Sequence, residues 1–117
     1  MNKHIEKIET DRKIKFPPLY KQFLANEIKD SDACEINSKD DGTIYLYSYI
    51  DLVKRNETYD IQSVEPVYFL IGQDGDLGYF IYVESGKESD VIFSVDLGAL
   101  GSLEMNEEAK DIYSLSA

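Results

Sequence analysis

The stretch PVYFLIGQDGDLGYFIYV, from Pro66 to Val83, decides the fold. Val67 to Ile71 is apolar at every position, the pattern of a strand buried on both faces within a sheet. Asp74-Gly75 follows, a strong hairpin signal because glycine accepts the positive φ that tight turns demand. Tyr79 to Val83 then returns as a second strand. A connection this short allows only antiparallel pairing.

Working outward, Glu84 to Asp90 is a polar turn and Val91 to Val95 reads as a third strand of the same meander. Ala109, Ile112 and Tyr113 stand at helical spacing and predict a short helix over Met105 to Leu115. Upstream, Thr43 to Tyr47 is β-branched and aromatic and predicts a strand. A shorter strand is expected around Cys34 to Asn37. Ser48 with Asp51 three residues later resembles a capping box, so a helix is expected from Tyr49 to about Tyr59. Near the N-terminus, Ile5 and Ile8 among charges predict a short solvated helix over 2–12. Pro17-Pro18 then starts a helix to about Lys29, with Leu19, Tyr20, Phe23, Leu24 and Ile28 forming its apolar stripe. The expected architecture is α+β: an antiparallel sheet packed with helices, in one domain spanning 1–117.

These pieces, in this order, resemble the SUKH (SMI1/KNR4) superfamily. The resemblance is carried by Phe16-Pro17-Pro18-Leu19-Tyr20, by Ile44 to Ser48 running into the Asp51-Leu52 helix, by Phe69 to Gly72 with Asp74-Gly75, by Gly78 to Tyr82, and by Val91 to Leu97. It covers roughly residues 16–100. The resemblance implies an α+β SUKH fold and, in the bacterial immunity branch, binding and neutralisation of a cognate toxin domain, often a nuclease. The same superfamily includes regulatory scaffolds that bind other cellular proteins, so the fold leaves two roles open.

Composition supports a protein partner. The 117 residues include 12 basic and 23 acidic side chains, a net charge of −11. Such a field repels phosphate backbones and anionic lipid and would speed the encounter with a basic partner, although acidity also serves solubility. Nucleic acid and membrane are therefore not expected as partners. One cysteine, Cys34, excludes an intrachain disulfide and is in keeping with a reducing compartment; with no signal-like apolar segment at the start, a cytoplasmic location is expected.

No residue set assembles into a catalytic centre. His4 is the single histidine, and Cys34 lies between Asp32 and Glu35, where negative charge disfavours a thiolate. Asp74 and Asp76 lack calcium-loop spacing and read as turn residues. No enzyme activity, metal or cofactor is expected. The candidate partner-binding residues are the acidic side chains Asp30, Asp32, Glu35, Asp40, Asp41, Asp74 and Asp76, with Tyr45, Tyr47 and Tyr79 as aromatic anchors.

Overall fold

A computed structural model of the chain describes residues 3–28, 33–37, 42–84, 89–102 and 104–115. Among the described residues, six strands form one antiparallel sheet in sequence order: β1 (Ala33–Asn37), β2 (Thr43–Tyr47), β3 (Tyr68–Asp74), β4 (Leu77–Tyr82), β5 (Ile92–Asp96) and β6 (Asn106–Ala109). Two helices precede the sheet, α1 (Lys3–Arg12) and α2 (Pro18–Phe23), and two lie between β2 and β3, α3 (Tyr49–Thr58) and α4 (Ile61–Val64). The domain is α+β.

The stretch read first forms the centre of this sheet. Phe69, Leu70 and Ile71 of β3 and Phe80 and Ile81 of β4 are all essentially without solvent contact. The hairpin loop is Gly75-Asp76, closed by the Asp74–Leu77 pair, and Gly75 adopts φ +59°, which glycine takes at no steric cost. Gly72, beside a bulge in β3, pairs with Leu46 of β2. A Cβ there would stand 2.6 Å from the Tyr45 carbonyl oxygen and 2.8 Å from the Leu46 side chain, so the β2–β3 junction requires glycine.

Pairing between β2 and β3 ends at Leu46–Gly72, and beyond it a side chain takes the place of a strand. Asn56 of α3 is 1% exposed. Its Nδ2 donates to the Leu70 carbonyl at 2.8 Å and its Oδ1 accepts from the Leu70 N–H at 2.8 Å. One amide thus makes both bonds that an antiparallel neighbour would have made, keeping a buried backbone pair satisfied. Gln62 of α4 donates to Asn56 Oδ1 at 3.0 Å and to the Tyr68 carbonyl at 2.9 Å, extending the same device to the start of β3.

The N-terminal helices are joined by carboxylates. Pro17 precedes α2 and has no side-chain acceptor for the helix's free N–H groups. Asp90, distant in sequence, supplies one by accepting from the Leu19 N–H at 3.1 Å. Glu9 of α1 accepts from the Phe16 N–H at 2.8 Å and pairs with Lys21 of α2 at 3.1 Å. Phe16 stacks edge-on against Tyr20 and lies 5.5 Å from Phe69 of β3, which anchors the proline turn on the sheet.

Four expectations need correction. Met105–Leu115 is not a helix: Asn106–Ala109 pairs with β5 as β6, and a 3-10 turn, Ile112–Ser114, follows. The open edge of β5 offered a row of backbone bonds that an exposed four-residue helical pattern could not match. The helix begun at Pro18 does not stay α-helical; from Leu24 to Ile28 it widens into a π turn. Helix α1 is not merely solvated, since Ile5 and Ile8 are 1% and 8% exposed and join the core. Ser48 stands at the N-cap of α3 in extended conformation, but its hydroxyl makes no capping bond. The short α4 has no counterpart in the sequence reading.

Candidate functional site

The sheet register brings part of the expected surface together. Glu35 of β1 is the register partner of Tyr45 of β2, which is in turn the partner of Gln73 of β3. Three side chains from three strands therefore form one row on one face. Glu35 is exposed and Tyr45 is 37% exposed. One residue past Gln73, the exposed Asp74 begins the hairpin, and exposed Asp76 completes it.

Two tyrosines expected at this surface are in the core. Tyr47 is fully buried and Tyr79 is 4% exposed. Tyr45 and Tyr47 share a face of β2, yet α3 passes over the second and not the first. Arg55 of α3 lies over the Tyr47 ring, 5.7 Å from its centroid. The Tyr47 hydroxyl donates to Gln73 Oε1, while Gln73 Nε2 donates to the Gly75 carbonyl at 2.9 Å. Burial pushes the Tyr47 hydroxyl well above the ordinary tyrosine range, opposed by Arg55 and reinforced by Tyr59, Asp51 and Tyr45. Tyr47 is thus a neutral hydrogen-bond donor that fixes Gln73, and its ring supports Tyr45 at a centroid distance of 6.1 Å. It positions the surface from beneath. Asp30, Asp32, Asp40 and Asp41 lie outside the described residues.

The structure adds residues that were not among the expected partner-binding set. Asp51 and Arg55 of α3 and Tyr59 at its C-cap follow at four-residue intervals and so share one face beside Tyr47. Tyr59 is 36% exposed, making it and Tyr45 two of the four large exposed apolar side chains among the described residues. Their helical spacing was a legible signal. Asp96, at the end of β5, is the register partner of Leu77 and is exposed. Its neighbour Leu97 donates its N–H to the Asp76 carbonyl at 2.7 Å, which ties Asp96 to the acidic hairpin.

Charge divides sharply along the chain. Residues 1–55 hold ten basic and ten acidic side chains, whereas residues 56–117 hold two basic and thirteen acidic ones. The whole net charge of −11 therefore belongs to the half that builds α4 and β3–β6. The hairpin tip, with Asp74, Asp76 and Asp96, is the place where this half adjoins the Tyr45 row.

Chemically, the exposed tyrosines offer contact area with a polar tip, and the carboxylates give this end of the sheet a negative potential. Among the described residues, no group of three or more histidine, cysteine or acidic side chains is placed to hold a metal ion, and no helix is long and apolar enough to cross a membrane. Cys34 is half-buried on β1. No protein-family model and no curated protein matches the chain.

Proposed function

We propose that this protein is a non-catalytic binding module of SUKH type, an immunity protein that neutralises a basic toxin domain by stoichiometric occlusion. The observation that supports it most is the exposed Glu35–Tyr45 row, adjoining the exposed Asp74, Asp76 and Asp96 at the hairpin end, in a chain of net charge −11. A net negative charge of this size accelerates association with a basic protein and disfavours nucleic acid, so the module would compete for the surface a nuclease presents to its substrate. The order of the proline-initiated helix, the Ile44–Tyr47 strand and the central hairpin is the order of the SUKH resemblance.

Co-expression in bacteria with a toxin domain encoded beside this gene tests the reading. Rescue of growth together with co-purification in equal amounts supports it. Survival without a complex, or a complex without protection, defeats it.

A further inference from the structure

The meander carries a second aromatic cluster, on β3, β4 and β5. Tyr68 and Tyr82 are register partners on β3 and β4, with ring centroids 5.7 Å apart and planes at 81°. Phe93 of β5 lies 5.3 Å from Tyr68 at 75°. All three rings are half-buried. Each is bordered by a carboxylate from a different part of the chain. The Tyr82 hydroxyl donates to Glu84 just beyond β4. Glu65, at the end of α4, is close enough to Tyr68 to raise its hydroxyl's pKa, second only to burial. Glu107 of β6 is the register partner of Phe93 and is exposed. None of the ion pairs among the described residues uses these three carboxylates. Two basic residues stand near: Lys15, whose N–H bonds the Val83 carbonyl at 3.4 Å, and Lys110, next to Ala109.

We propose that Tyr68, Tyr82 and Phe93, with Glu65, Glu84 and Glu107, form a seat for an arginine side chain presented by a protein partner. Charge complementarity selects a cation, because carboxylates around aromatic rims repel anions. The rings select guanidinium over ammonium: a planar cation stacks on tyrosine and still offers its fork of N–H groups to carboxylates, which a point charge cannot do together. The inference rests on the binding-module reading but uses a different surface from the Tyr45 row, so the two can fail separately.

Titration of the isotopically labelled full chain with the peptide Gly-Arg-Gly-Arg-Gly, followed by backbone amide NMR, tests the seat. The expected result is saturable shifts at Tyr68, Tyr82 and Phe93, and binding about two- to fivefold weaker in both Glu84→Gln and Phe93→Leu. The citrulline peptide, equal in shape but uncharged, should leave these amides unmoved, and the lysine peptide should bind more weakly. Glu84→Gln changes one partly exposed side chain, so it remains informative if Phe93→Leu unfolds. Shifts confined to Asp74 and Asp76, an equal response to citrulline, or lysine binding as tightly as arginine would each overturn the proposal. A chain that holds the arginine peptide but fails to protect cells would sink the immunity reading and leave the seat standing.

Discussion

Replacing Asn56 with alanine removes the side chain that stands in for a strand. In the native chain its amide satisfies the Leu70 N–H and C=O, both at 2.8 Å, and accepts from Gln62 at 3.0 Å. The Leu52 carbonyl also accepts from Nδ2, at 2.8 Å, but it lies within α3 and keeps its helical partner. Two buried backbone groups on β3 are left without partners, each costing about 1–3 kcal/mol. Relaxation and entering water recover part of that. The expected loss is therefore about 2–5 kcal/mol, a large share of the 5–15 kcal/mol typical of a domain. Urea unfolding followed by far-UV circular dichroism measures it, since the chain has no tryptophan to report.

Asn56→Asp sharpens the test. The carboxylate still accepts from the Leu70 N–H but faces the Leu70 carbonyl with no proton to give. Burial raises its folded-state pKa above the unfolded value, so its penalty grows as pH rises from the unfolded pKa, and its gap from the native chain should be narrower at pH 4 than at pH 7. Alanine costing less than about 0.5 kcal/mol, the scale of an ordinary surface substitution, would refute the surrogate-strand account.

Other expectations follow from the same geometry. Gly72→Ala should cost about 1–3 kcal/mol or more, because its Cβ meets the Tyr45 carbonyl oxygen at 2.6 Å, and the loss of amide-exchange protection should centre on the β2–β3 junction. Asp90→Ala should cost about 0.5–2 kcal/mol by uncapping α2, whereas Asp90→Asn, which keeps an acceptor, should cost less; thermal melts compare them. The raised pKa of Tyr47 means the native state holds its proton more tightly than the unfolded chain does. Stability from this group is thus complete below the ordinary tyrosine pKa of about 10 and falls as pH rises past it. Unfolding measured from pH 9 to 11 should show that decline, and Tyr47→Phe should make it shallower, leaving the part that the raised Tyr68 and Tyr82 hydroxyls contribute.

Strands and turns were legible where local chemistry and tertiary packing agreed. Thr43–Tyr47 forms a strand with the expected bounds, and Asp74-Gly75 turns the chain because glycine supplies the positive φ. The tail was misread because its spacing of Ala109, Ile112 and Tyr113 satisfies a helix, while the vacancy along β5 that claims Asn106–Ala109 exists only after folding. Parity also cannot reveal a crossing helix. Tyr45 and Tyr47 are indistinguishable by alternation, and only the passage of α3 makes one surface and the other core. Of the expected site, Glu35, Tyr45, Asp74 and Asp76 are found exposed at one end of the sheet or its outer row. Tyr47 and Tyr79 are not on the surface at all. Tyr59 and Arg55 were not legible as surface residues, because the sequence places a helix over Tyr49 to about Tyr59 without showing which of its faces lies beside Tyr47.

The direct test of the proposed function is the association rate with whichever toxin domain protects and co-purifies in the co-expression experiment, followed by stopped flow across a range of salt concentrations. For the native chain the rate should fall at least about tenfold as salt screens the field, and Asp74→Asn with Asp76→Asn and Asp96→Asn should start slower and fall less. Rates that ignore salt in both proteins would contradict the claim that the acidic half of this chain is what finds its partner.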